Sequence, residues 1–378
     1  MLILVITSVP AQLVISLLLI RTTIKPAGQL PRSTDAPRWN VYPVIVWTLV
    51  AVLAVVVLGL IWSVFRPTSL PKPLGPIQKV TVGAEGSLLT AAIWVAEAKG
   101  YFKKERLEVS IKPFDSGRLS FLAMLNGEGI DISTVSPTTI MFNSFKRDDF
   151  AIFATFVYSY EDVKVIARKD KGINRARDLK GMKIGTPGGT VGQFFLNAFL
   201  TENGIPVSEV TVVNIAPSEL PYALVRNLVD AIVIWEPHGH RAREQLKDKA
   251  IRLPSSEVYK ETSNFMVMKD YAKANPEILE KFLRATDEAT TFIREHKEEA
   301  QQLVADKLEL DPAITKALWD DFVFEMSLDQ SLIRTLEEEG IWAIQSRLVK
   351  KPKIPNYLDF IHLKSLESVN ANAVTIGK

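Results

Sequence analysis

Residues 183–190 read KIGTPGGT and residues 231–237 read AIVIWEP. In the first run a short apolar strand meets Pro187-Gly188-Gly189-Thr190, and an amphipathic stretch begins at Val191. Such a turn presents free backbone N–H groups at a helix start, where the helix dipole favours negative charge. Gly188, Gly189, Thr190 and Val191 are therefore expected to form an anion-accepting floor. The same residues also suit a plain strand-to-helix turn, with glycine for positive φ and Thr190 as N-cap. It is not a P-loop, because no Lys-Ser/Thr pair follows the glycines. In the second run Trp235 offers a ring that can stack on a ligand. Glu236 offers an acceptor for an amine, and a carboxylate there penalises a simple dianion and suits a zwitterion or a cationic ring. Ser136 and Thr138, after the apolar run 131–134, and Ser87 and Thr90, after the run 79–83, can supply further hydroxyls and N–H groups. His238 and His240 flank this region without other ligands of suitable spacing, so neither metal nor cofactor is expected.

Strand ends carry all of these residues. Apolar runs at 79–83, 107–112, 131–134, 151–158, 163–167, 183–186, 210–214, 231–235 and 264–268 alternate with helical patterns from residue 91 to 246. Short apolar strands separated by helices imply parallel sheets covered on both faces. Ligands then collect at the carboxyl ends of the strands. From Pro276 onward the pattern is almost wholly helical. Two α/β lobes follow as the natural division: residues 77–163 with 264–360, and residues 169–254. The chain would cross between them near 164–169 and again near 255–263. Two crossings make a hinge, and a hinge allows a cleft to close on a ligand.

Ahead of the lobes, residues 41–65 pass without a charge, enough to span a hydrocarbon core of roughly 30 Å. Tyr42, Trp47 and Trp62 lie toward its ends, where interfacial aromatics sit. Residues 1–20 form a possible first transmembrane helix, interrupted by Pro10 and Gln12. Residues 21–40 carry four bases and one acid, which places them in the cytoplasm and everything after Phe65 outside. Residues 66–76 hold four prolines and read as a stiff tether.

The net charge of +2 hides an uneven distribution: the first 76 residues hold six bases and one acid. The remainder is slightly acidic, which is no footprint for nucleic acid. With no cysteine there is no disulfide, thiolate metal site or lipoprotein anchor. No Gly-x-Ser-x-Gly elbow appears.

The runs AEAKGYFKKERLEVSI, LNGEGIDIS, DLKGMKIGTPGGT and ALVRNLVDAIVIWEP, in that order and spacing, resemble the SsuA/TauA-like substrate-binding proteins of ABC importers for sulfonates, taurine, nitrate and related molecules. The resemblance covers residues 77–268 well. It implies a type II periplasmic-binding-protein fold with the ligand between two lobes, preceded here by one or two transmembrane helices. It also implies a non-enzymatic receptor at the extracytoplasmic face of the cytoplasmic membrane, with an ABC permease and ATPase as partners and a small anionic or zwitterionic ligand. Two other readings are a sensory or adaptor module without transport, and a relative that binds or makes thiamine-pyrimidine precursors. The synthase of that group relies on a cysteine-rich motif, which this chain lacks.

Overall fold

The computed structural model describes residues 42–64, 75–255 and 259–377. The anticipated first transmembrane helix at 1–20 and nearly all of the tether at 66–76 lie outside these residues, as do residues 256–258 of the second crossing. The chain forms two separate units, residues 1–74 and 75–378.

In the first unit Tyr42–Val64 is one helix of 23 residues without an acidic or basic side chain. Trp47, Val55 and Leu60 are exposed, as are the apolar residues between them. Counted over the described side chains alone, no helix is long and apolar enough to cross a membrane.

The second unit holds two sheets. In chain order the strands are β1 (Gln78–Glu85), β2 (Leu107–Phe114), β3 (Ile132–Val135), β4 (Phe150–Ser159), β5 (Lys164–Arg168), β6 (Lys183–Thr186), β7 (Thr211–Asn214), β8 (Ala231–Ile234), β9 (Ala250–Leu253), β10 (Glu261–Met268) and β11 (Phe322–Val323). The first sheet runs β11-β4-β10-β3-β1-β2 and the second β7-β6-β8-β5-β9. The core of each sheet is parallel: β1 pairs with β2 and β3, and β6 with β7 and β8. The strands next to the crossings are antiparallel. β10 lies antiparallel between β3 and β4, and β5 antiparallel between β8 and β9. The sheets are therefore mixed, where the apolar runs alone implied parallel ones. Strands β4 and β10 are buried along nearly their whole length. Such strands lose the polar–apolar alternation that marks an antiparallel strand in sequence.

The crossings fall at residues 160–163 and 254–260. β5 thus belongs to the second lobe from Lys164 onward, and β10 starts at Glu261 and returns the chain to the first sheet. The carboxyl ends of β1, β2 and β3 and those of β6 and β8 feed the turns between the lobes.

Each lobe has its own core. In the first, Phe265 of β10 stacks on Phe156 of β4 at 3.9 Å and meets Phe282 edge-on at 4.9 Å. Phe282 lies on the apolar face of the helix Pro276–Glu295, and it also stacks on Phe102 at 5.4 Å. This aromatic column ties the C-terminal helices to the first sheet. Phe265→Ala is expected to lower the unfolding free energy of the body by about 3–5 kcal/mol. Urea denaturation checks this, and a loss under about 1 kcal/mol would contradict the central placement of the ring.

Candidate functional site

Strand tips from both lobes line one small chamber, which in this closed arrangement has a volume of only ≈ 10 Å³. The first lobe contributes Glu85 at the end of β1, Ser116, Gly117 and Arg118 after β2, and Ser136 and Thr139 after β3, with Glu261 at the start of β10. The second lobe contributes Thr190 and Val191 after β6 and Trp235 after β8.

Local chemistry fixes these positions. Ser116 caps the helix Gly117–Leu125, its hydroxyl accepting from the Leu119 amide at 3.3 Å. Gly117 sits against β3: a Cβ there would lie 2.9 Å from the Thr134 carbonyl oxygen and 3.1 Å from Val135 Cα. Only glycine permits that approach, and it lets the Gly117 amide donate to Glu85 Oε2 at 3.0 Å. Thr190 caps the helix Val191–Glu202, accepting from the Gly192 amide at 3.3 Å and donating to the Pro187 carbonyl at 2.7 Å. Trp235 directly follows β8 and is buried.

The lobes are closed on each other. Thr139 Oγ1 donates to the Gly189 carbonyl at 3.0 Å, and Ser218 Oγ donates to Asp115 Oδ2 at 3.1 Å. Phe194 of the second lobe meets Trp342 edge-on at 5.2 Å and Tyr259 at 5.1 Å. At the crossing, Lys164 binds Glu236 at 3.0 Å and Asp321 at 2.7 Å.

Of the residues singled out in the sequence, Ser136, Thr190, Val191 and Trp235 line the chamber. The others are turned to structural tasks. Ser87 donates to Glu85 Oε1 at 3.2 Å. Thr90 donates to the Glu85 and Ser87 carbonyls and accepts from Trp94 Nε1 at 3.0 Å. Thr138 donates to Glu339 Oε1 at 2.7 Å. The anion floor is partly occupied by the protein itself: Gly188 donates to Asn214 Oδ1 at 2.7 Å and Gly189 to Gln193 Oε1 at 2.8 Å. Glu236 is fully buried behind the chamber wall and bound by Lys164, Arg243 and the His240 amide.

Glu85, Arg118 and Glu261 escape a reading for glycines and hydroxyls. Their signal is positional: Glu85 is the last residue of its strand, Glu261 the first, and Arg118 follows the Ser116-Gly117 turn.

The electrostatics are one-sided. Glu85 and Glu261 are buried, and so is Asp162 beside them. Burial raises all three carboxyl groups above the ordinary carboxylate range, and their mutual repulsion adds to the effect for Asp162 and Glu261. Asp162 Oδ1 accepts from the Glu236 amide at 3.1 Å. Asp162 Oδ2 and Glu261 Oε2 find no N–H or hydroxyl donor. Beyond burial, the Asp162 charge raises Glu261 further, which favours a proton within this buried group. Burial, with Arg241 nearby, also depresses His238 to about 4, so this imidazole is neutral at physiological pH.

The NMT1/THI5 like family matches over residues 89–300. The chain belongs to that family. A Brucella abortus protein named as a binding protein is 26% identical over 231 residues, which is 60% of this chain and 70% of that one. A Bacillus subtilis protein named for binding aliphatic sulfonates is 23% identical over 297 residues, 76% of this chain and 88% of that one. The alkanesulfonate-binding protein SsuA of Xanthomonas axonopodis pv. citri, solved bound to MOPS, superposes with a TM-score of 0.67 at 16% identity, covering 76% of this chain and 99% of that one. The fold is thus that of the periplasmic binding proteins.

Glu339 adds to the buried acids. Its Oε1 accepts from Thr138 and from Tyr259 at 2.8 Å, and burial pushes it up to about 8. Folded protein therefore holds protons that the unfolded chain releases near the ordinary carboxylate pKa of about 4. Stability is greatest below that value and falls as pH rises toward about 8. The melting temperature of solute-free protein should drop by several degrees between about pH 5 and pH 8, and Glu339→Gln should flatten part of the slope. A melting temperature that rises across this window would contradict the assignment.

Proposed function

We propose that this chain is a solute receptor that captures a small molecule by lobe closure and delivers it to an ABC importer. The observation that carries this reading is the composition of the chamber wall. Glu85, Gly117 and Ser136 come from one lobe, and Thr190, Val191 and Trp235 from the other. A ligand touching both sets gains contacts only when the lobes meet, and such differential affinity is what shifts an open–closed balance. Membership in a family whose named relatives include binding proteins supports the same reading.

The uncharged run 41–65 is the segment that would hold the receptor at the extracytoplasmic face of the cytoplasmic membrane, and the exposed apolar side chains from Ile45 to Leu60 suit contact with hydrocarbon. Tethering raises its effective concentration at a permease, so weak docking suffices. The sulfonate, taurine and nitrate ligands implied by resemblance are not equivalent here. Buried carboxyls in the wall favour a zwitterion over a simple anion.

The test is a thermal-shift screen of small anions and zwitterions against the full chain in detergent. A subset should raise the melting temperature, and Trp235→Ala should abolish most of that rise. If nothing in a broad screen shifts the transition, or if Trp235→Ala leaves every shift intact, the chamber is not the binding site. In cells, releasing the body by a protease site placed in residues 66–76 should reduce solute uptake at matched expression. Unchanged uptake would count against the anchor.

A further inference from the structure

The chamber and an adjoining groove have opposite polarity, and this narrows the solute, given the receptor reading above. Inside, Glu85 and Glu261 are both wall residues and both buried. The oxygens of Glu85 are met only by neutral donors, the Ser87 hydroxyl and the Gly117 amide. Glu261 Oε2 and the adjoining Asp162 Oδ2 have no donor of their own. The nearby buried cation, Lys164, is held by Glu236 and Asp321 instead. Among the described residues, no group of three or more acids and histidines is arranged to hold a metal ion. The acceptor capacity in this chamber therefore awaits an organic donor.

Beside the chamber lies a groove that shares Arg118 with it and straddles the lobes. Its polar wall holds Arg118, Lys146, Lys350 and Lys351 with no acid, and Gly189 and Gln193 close it from the second lobe. Among the described residues these four cations make no ion pair or hydrogen bond. Arg118 belongs to both spaces, lining the chamber on one side and the groove on the other. It is held against the second lobe at Gly189, where a Cβ would lie 3.1 Å from its Nε.

We infer that the solute is a small bipolar molecule, with a protonated amine, amidine or guanidine head against Glu85 and Glu261 and an acidic tail at Arg118 and the lysines of the adjoining groove. At these carboxyls a bare anion would find donors only in their own hydroxyls, and only while Glu85 and Glu261 hold their protons. A bare cation would leave Arg118 and the three groove lysines without a counter-charge. The cationic head takes the place of protons held by the buried carboxyls, so binding releases protons and tightens as pH rises.

Full-length protein in detergent micelles, titrated calorimetrically with named probes, tests this. The probes are 4-guanidinobutyrate and γ-aminobutyrate as bipolar molecules, ethanesulfonate as an anion and ethylammonium as a cation. The bipolar probes should bind at least about tenfold tighter than either singly charged probe, and repeating the titration in buffers of different ionisation enthalpy should show proton release. Glu261→Gln should weaken the bipolar probes by about tenfold or more, and Arg118→Met should erase their advantage over ethylammonium. Glu85→Gln serves the same purpose should Glu261→Gln fail to fold cooperatively. Ethanesulfonate binding as tightly as the bipolar probes, or a bipolar probe binding without proton release, overturns the inference and leaves the receptor reading standing. No binding by any of the four overturns the inference as well, while solutes found in the wider screen would still uphold the receptor.

Discussion

With the two lobes closed, Glu85, Asp162 and Glu261 are buried, while Lys164, the one buried lysine among the described residues, serves Glu236 and Asp321. Burying a charge without a partner is expensive, so a protein resolves it by holding protons or by supplying a counter-charge. In the empty closed state the carboxyls keep protons, which is why their pKa values lie above the ordinary range. That state is also the less comfortable one, because Asp162 Oδ2 and Glu261 Oε2 are left without donors. A solute that brings donors into the chamber relieves this, and the relief exists only when the second lobe covers the first. The same interaction therefore links ligand chemistry to the conformational balance.

The fold serves this constraint in two ways. Parallel strands in the middle of each sheet point their carboxyl ends at one space, where helix-capping turns gather small and polar residues. Antiparallel strands at the crossings, β5 and β10, carry the chain between lobes and place Lys164 and Glu261 at the hinge itself. The hinge is thus charged, and its ion pairs belong to the structure rather than to the solute. Tyr259, just before β10, binds Glu339 and packs on Phe194 of the other lobe, so the second crossing is pinned from both sides.

Much of this was legible in the chain. Glycine and hydroxyl turns after apolar runs located the strand ends, and Ser136, Thr190, Val191 and Trp235 do line the chamber. Glu236 shows the limit. It follows Trp235 directly, yet both residues lie past the end of β8 and their side chains part in the turn there. Trp235 goes to the chamber and Glu236 to Lys164 and Arg243. Glu85 and Glu261 carried no motif, because a glutamate at a strand boundary reads as a solvated charge until the partner lobe is placed over it. β9 and β11 escaped notice for a simpler reason: with four and two residues they are too short for a period to show. Gly188 and Gly189 do form the anticipated turn, yet Asn214 and Gln193 answer their amides from within the lobe.

The central claim is that the lobes close over a solute at the strand tips. The chain has no cysteine, so two introduced ones label it uniquely. Glu128 on the first lobe and Glu202 on the second are exposed and far from the chamber wall. Spin labels at Glu128→Cys and Glu202→Cys, read by double electron–electron resonance, report the separation of the lobes directly. A saturating solute should shorten and narrow the distance distribution, and Trp235→Ala should restore the broad one. A distribution that does not change when a bound solute saturates the protein would contradict the account.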